Sequence, residues 1–293
     1  MSPTNTASPS LSLTPLSDAI SRKNPTNLLQ SDAENKDSGL QDFRLPNIRK
    51  MFVPDPGKVI IDADLSGADA QVVAWEADDD KLKAAFKAGK SVHLMNGEDL
   101  LGKEFTTAQG HHKSFGTPKG RMYEALKRFV HGSNYLSSAR NLHLNPAVGW
   151  PLDLCVARQS RWFGLHPGIK EWHARISTCI NRNGTIRNQF GYRIIYFDRP
   201  DSVLTQAVAW GPQSTVAEVC FRGALQLRAN VPWVDLLLQV HDSIVFQIPT
   251  HRWGEASTLD TIKRHLEITV PYNDPLIIQW GIAGSETSWG DCK

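Results

Sequence analysis

The stretch LLLQVHDSIVFQIP, residues 236–249, places two apolar runs on either side of the polar triplet His241, Asp242 and Ser243. Two apolar, β-branched runs joined by a short polar step are typical of a buried β-hairpin. An acid at the tip of such a hairpin must stay hydrated or meet a cation, because an unpaired buried carboxylate is strongly destabilising. Asp242 is therefore placed to bind a metal, while an Asx turn is the competing interpretation of this dipeptide taken alone.

A second acidic pattern lies in VIIDADLSGADAQ, residues 59–71. Val59 to Ile61 predict a short buried strand, and Asp62 and Asp64 on that strand point to the same face. Mg²⁺ takes one or two carboxylates and completes its octahedron with water and phosphate oxygens. Two acids from distant segments, brought together on one sheet, would hold the ion pair used in nucleotidyl transfer. For any single acid, a strand-end or helix-cap carboxylate is the alternative.

A third pattern is the helical stripe in YEALKRFVHGSNYL, residues 123–136, where Tyr123, Lys127, His131 and Tyr135 recur every four residues. The rise from Lys127 to Tyr135 is about 12 Å, at about 1.5 Å per helical residue. This is roughly the length of an extended nucleoside triphosphate, so the cation could hold phosphates while the phenol lies near the base. Gly132 costs about 1 kcal/mol inside a helix, which predicts the close approach of a flat group.

Composition limits the protein class. The 293 residues, 41% of them hydrophobic, suffice for one large or two small domains. The four cysteines form no CxxC pair, which argues against a zinc site and a disulfide framework. The lack of a long apolar run or signal peptide predicts a cytoplasmic protein with no membrane partner.

The net charge is only +2, so the whole chain is not a polybasic nucleic-acid binder. One local cluster is basic enough to attract polyanions, with the acid Glu124 among five Lys and Arg residues. Its members are Lys113, Lys119, Arg121, Lys127 and Arg128.

The order of elements favours an α+β fold over a parallel doubly wound one. After the first strand comes a mainly helical region, then a hairpin around Gly191, a long helix after Pro200 and the hairpin with His241 and Asp242. The Ser-, Thr- and Pro-rich residues 1–21 predict a disordered tail.

Taken in sequence order, the three patterns resemble motifs A, B and C of the family A DNA polymerases. DADLSGADAQVVA resembles motif A, KRFVHGSNY motif B and QVHDSIVF motif C. SVHLMNGEDLLG resembles a fingers segment, AWGPQSTVAEV the helix that carries a Gln toward the minor groove, and NPTNLLQ and IRKMFVP the segment entering the palm. The resemblance implies an antiparallel-sheet palm (22–75 and 204–293) with mainly helical fingers (76–203).

The resemblance also implies roles for single residues in template-directed DNA synthesis. Asp64 and Asp242 would ligate two catalytic Mg²⁺ ions, with Mn²⁺ as a substitute, and Asp64 is preferred to Asp62 because its spacing to Ser66 and Asp69 fits motif A. Lys127 would hold the triphosphate and donate a proton to pyrophosphate. The implied nucleotide site consists of Asp69, Tyr123, Lys127, His131 and Tyr135, and the implied contacts with primer-template DNA are Arg121, Gln213 and His241.

Several positions depart from the family pattern. An Arg is usual where Tyr123 stands, Phe or Tyr at His131, Gly at Leu136, and Glu at Asp69 and Ser243. These departures support an alternative, a catalytically inactive palm-fingers remnant that binds primer-template DNA or a replisome partner. A single-subunit RNA polymerase fits less well, because the His-Asp hairpin and the Gln helix resemble the DNA enzymes.

Only about 60 residues precede motif A, too few for the family's thumb and exonuclease regions. Without a thumb, fewer phosphate contacts would form, which predicts low processivity and strong salt sensitivity. A separate thumb, exonuclease or processivity subunit is therefore an expected partner. The expected location is the cytoplasm, that of the host cell if a phage encodes the chain.

Overall fold

A computed structural model describes residues 47–102, 105 and 118–292, without the side chains of 118–121. After a short 3₁₀ helix, Ile48–Met51, the helices and strands are, in chain order, β1 (Lys58–Leu65), α1 (Ala68–Glu76), α2 (Asp80–Lys87), α3 (Val92–Leu101), α4 (Pro118–Asn134), α5 (Ala139–His143), α6 (Leu152–Leu165), α7 (Pro167–Asn183), β2 (Thr185–Arg187), β3 (Arg193–Ile195), α8 (Pro200–Asn230), β4 (Asp235–Val240), β5 (Ser243–Pro249), α9 (Ala256–Leu266), β6 (Thr269–Val270), β7 (Leu276–Ile277) and β8 (Trp280–Ser285).

The main sheet is antiparallel, with the strand order β4-β5-β1-β8. β1 pairs with β5 from Lys58 opposite Pro249 to Asp64 opposite Ser243. Alternate β1 residues, Val59 to Leu65, are at most 1% exposed and lie in the main core. Because side chains alternate across a strand, Asp62 and Asp64 point away from that core.

Helices cover only one face of this sheet closely. Val219 and Leu227 of α8 and Ile262 of α9 are fully buried in the same cluster as the inward side chains of β1. The opposite face has a smaller cluster, in which Ile60 and Val245 pack against Trp289. The acids of β1 therefore lie on the less covered face, and the predicted α+β fold is confirmed.

The long helix α8 contains Pro212 in its interior. Proline donates no backbone hydrogen bond, and the hydroxyl of Thr215 makes a 2.9 Å bond to the nearby carbonyl of Gly211. Gln213, the next residue, is exposed. The helix-interior proline, Pro212, therefore directly precedes the residue that is expected to contact DNA.

The remaining predicted elements are also present. β2 and β3 form the hairpin around Gly191, which has a positive φ of 88°. Within the described ranges, every helix is too short or too polar to cross a membrane. The tail 1–21 and the NPTNLLQ segment lie outside the described residues, and the palm-fingers boundaries stay predictions.

Candidate active site

The tip of the β4–β5 hairpin is a two-residue turn formed by His241 and Asp242. His241 has a φ of 54°, in the left-handed region that is uncommon for residues with a side chain. The amide of Gln239 donates to the carbonyl of His241 at 2.5 Å, and the backbone N–H of Leu65 donates to the carbonyl of Asp242 at 3.0 Å. These bonds fix the turn against the end of β1.

Asp64 and Asp242 are brought together by strand register. Asp64 pairs with Ser243, the residue that directly follows Asp242. The pKa of Asp64 is raised to about 6, first by burial and then by the nearby carboxylates of Asp242 and Asp62, against the opposing effect of Arg49 and Lys127. Throughout the described part of the chain, no side chain makes a hydrogen bond or an ion pair with either carboxylate. Within the described residues, the two like charges therefore lie side by side with no cation bonded to either, and Arg49 and Lys127 offset their repulsion only in part.

The donor set of this pair fits a hard divalent cation. Carboxylate oxygens are preferred ligands of Mg²⁺, which binds proteins through one or two of them. No group of three or more His, Cys, Asp or Glu among the described residues is arranged to hold a metal. The pair could therefore bind Mg²⁺ only with water or phosphate oxygens in the remaining positions.

Asp62 shares the strand face of Asp64 but has a different environment. The hydroxyl of Ser243 donates to its Oδ1, and the indole N–H of Trp289 donates to its Oδ2 at 2.8 Å. The guanidinium of Arg49 lies 3.8 Å from the same Oδ2. Since both oxygens of Asp62 are engaged, Asp64 is the β1 carboxylate left for a metal, which agrees with the preference drawn from motif spacing.

The stripe of α4 divides into buried and exposed members. Tyr123 and Tyr135 are each 8% exposed, whereas Lys127 and His131 are exposed. The ring of Tyr123 packs edge-on against His93, with centroids 5.7 Å apart. Lys127 lies near enough to Asp64 to lower the pKa of that carboxyl. The side chain of Arg121 lies outside the described part of the chain.

Asp69 connects α1 to α4. The buried hydroxyl of Tyr135 donates to Oδ1 of Asp69, and Nδ1 of His131 lies 3.2 Å from Oδ2. Burial, followed by the Asp69 carboxylate, raises the pKa of Tyr135 well above its ordinary value, so the phenol remains a donor. All three residues belong to the nucleotide site that the family resemblance implies, but these bonds could not be predicted from the sequence, in which the shared helical face of His131 and Tyr135 is the signal that points to them.

The prediction from Gly132 was wrong. A Cβ at this position would lie 2.7 Å from Cδ2 of Leu142. Gly132 therefore makes room for α5, not for a flat ligand.

Two residues further on, Asn134 anchors the end of α4. Its Oδ1 accepts a hydrogen bond from the indole of Trp162 at 2.9 Å, and its carbonyl accepts one from Nε2 of His173 at 2.7 Å.

Comparison with known proteins shows the family of this chain. The family model described as DNA polymerase family A matches residues 34–291. The chain belongs to DNA polymerase family A. A thermostable DNA polymerase I of Thermus filiformis is 27% identical over 275 residues, which are 89% of this chain and 31% of that protein. The DNA polymerase of Mycobacterium phage D29 is 24% identical over 249 residues, 83% of this chain and 37% of the phage protein.

A solved structure shares the fold of this family A chain. The POL domain of Pol1 from M. smegmatis, in complex with DNA primer-template and dNTP, superimposes with a TM-score of 0.65 at 17% identity. The match covers 83% of this chain and 42% of that one. The chain spans about a third of the length of the curated relatives it matches. The activity and partners of a whole polymerase are therefore proposals here.

Proposed function

We propose that this chain carries a DNA-directed DNA polymerase activity, which adds dNTPs to a primer 3′-end. The observation that carries the proposal is the juxtaposition of Asp64 on β1 and Asp242 in the β4–β5 turn, near the exposed cation Lys127. Membership in DNA polymerase family A supports it.

The chemistry would centre on the two carboxylates. Two Mg²⁺ ions held by Asp64 and Asp242, or Mn²⁺ in their place, would ease deprotonation of the primer hydroxyl and offset charge on the phosphates. The protein contributes rigidity, because ladder hydrogen bonds of β1 and β5 and the bond from Leu65 to Asp242 hold both ligands. Lys127 binds the triphosphate and protonates the leaving pyrophosphate.

The nucleotide would lie along α4. His131 and Tyr135 form its binding face, with Asp69 beside the sugar and Tyr135 near the templating pair. Tyr123, buried against His93, supports this helix from its core side. Arg121, Gln213 and His241 contact the primer-template, for which the exposure of the last two is suitable.

The proposed partners are primer-template DNA and dNTPs, together with a separate thumb, exonuclease or processivity subunit. Phosphate contacts with the duplex would make binding of the primer-template salt-sensitive. The likeness to a phage polymerase supports a location in the host cytoplasm for a phage-encoded protein.

Primer extension with Mg²⁺ and dNTPs tests the proposal, with Asp64→Asn and Asp242→Asn as site variants. Each is expected to lose at least about 1,000-fold in rate, as is typical when a central catalytic group is removed. Asp260→Asn, at an exposed acid of α9, is the matched control and should extend primers normally. A protein that binds primer-template but never extends it, under varied metal and salt, would contradict the proposal and favour the inactive remnant.

A further inference from the structure

A carboxylate that the proposed reaction does not use bridges the two strands that carry the metal ligands. Asp62 of β1 accepts a hydrogen bond from the hydroxyl of Ser243 on β5. Ser243 directly follows Asp242, and Asp62 precedes Asp64 by two residues on the same face. Since Ser243 pairs with Asp64 across the ladder, the bond runs diagonally beside both ligands.

The rest of the Asp62 carboxylate is also held. Its Oδ2 accepts the 2.8 Å bond from the indole of Trp289, and the side chain is 16% exposed. Trp289 is itself clamped, with the guanidinium of Arg49 4.4 Å from its ring centroid and Phe52 edge-on at 5.7 Å. Asp62 is thus fixed in orientation, and each of its two oxygens already has a hydrogen-bond partner.

A brace at this position is needed because of the charges beside it. The carboxylates of Asp64 and Asp242 repel each other, which tends to separate the ends of their strands. Beyond Asp64 the β1–β5 connection continues through the single backbone bond from Leu65 to Asp242. The Asp62–Ser243 bond lies at that end of the ladder and opposes the separation.

We propose that Asp62 is a positioning residue which, through the Ser243 hydroxyl, sets the separation of Asp64 and Asp242 and thereby the affinity for divalent metal. The inference rests on the proposed function, whose metal ligands it concerns. It differs from a purely structural role, because it predicts a change in metal affinity at unchanged nucleotide affinity.

The test compares Ser243→Ala with Ser243→Thr in the full chain. Loss of the hydroxyl should weaken Mn²⁺ binding, measured by electron paramagnetic resonance without DNA or nucleotide, by about tenfold, the low end of the effect of partners that orient metal ligands. The Mg²⁺ concentration for half-maximal extension should rise by a similar factor, while KM for dNTP stays within about twofold. Ser243→Thr keeps the hydroxyl and should restore both metal readouts.

Unchanged Mn²⁺ affinity in Ser243→Ala would overturn the inference, as would a Thr variant as defective as the Ala variant at equal Tm. If Ser243→Ala fails to fold, Trp289→Phe removes the indole N–H together with part of the ring and, at matched Tm, should shift Mn²⁺ affinity in the same direction; an unchanged affinity there also overturns it. Because Mn²⁺ binding needs no catalysis, a wild-type chain that binds Mn²⁺ without extending primers would refute the proposed function while leaving this inference standing.

Discussion

The tip of the sheet and helix α4 both contribute residues to the candidate site, but they position them differently. At the sheet, backbone register places Asp64 beside Asp242, and no described side chain holds either carboxylate. On α4, side-chain bonds do the positioning, because His131 and Tyr135 both contact Asp69. Under the proposed function, the sheet would hold the metal ligands, whereas α4 would bind the nucleotide, supply the proton donor Lys127 and attach the helical region to the sheet.

Lys127→Ala should produce the largest effect on the helix side of this comparison. Removing a charged contact with the triphosphate costs about 1.5–3 kcal/mol, which corresponds to roughly a 10- to 100-fold rise in KM for dNTP. Steady-state kinetics should show this rise, with Lys263→Ala on α9 as the control. A variant whose KM is unchanged would remove Lys127 from the nucleotide site.

Tyr135→Phe should weaken the connection between α1 and α4. The bond from its buried hydroxyl to a carboxylate contributes about 1.5–3 kcal/mol, the range for hydrogen bonds to charged groups. Urea denaturation at pH 7.5 should report a loss in this range, whereas Tyr192→Phe, at a position 53% exposed, should change stability little. Equal stabilities of the two variants would mean that Asp69 is held by other contacts.

Asp64→Asn should have a smaller effect on stability, and in the opposite direction. The raised pKa means that the folded protein favours protonated Asp64, so metal-free stability decreases as pH rises from about 4, the unfolded pKa, toward about 6. Above that window the variant should be more stable than wild type by about 1 kcal/mol, allowing for solvent near this carboxylate.

Thermal melts in a chelator at pH 4 and pH 7.5 would check this sign. The gain should appear at the higher pH and disappear at the lower one. A variant less stable than wild type at pH 7.5 would show that the acidic pair is not under electrostatic strain.

Much of this arrangement could be predicted from sequence, because it depends on local patterns. The apolar residues of β1 and β5 predicted the strands, and the acids after them predicted the metal ligands. Side-chain alternation alone could not show that Asp62 is hydrogen-bonded by other side chains whereas Asp64 is left for a metal, since both acids share a face of the strand. It depends on the indole of Trp289, 227 residues away from Asp62 in the chain.

Gly132 shows a different limit. Its cost in a helix is local and was recognised, but its cause is the side chain of Leu142 on the following helix. A glycine inside a helix indicates that another group packs closely there, but it does not indicate which group. Asp69 shows the same limit. The sequence places its two partners, His131 and Tyr135, on one helical face, but it does not show that they bond to Asp69.

The contact between Trp289 and Asp62 has a practical consequence. Trp289 lies four positions before the last residue of the sequence, yet it supports the strand that carries Asp64. If Asp62 has the proposed role, a change that removes this indole would alter the affinity for divalent metal, although it removes no group that is proposed to touch the substrate. Expression vectors for this chain should therefore keep the contact between Trp289 and Asp62 intact.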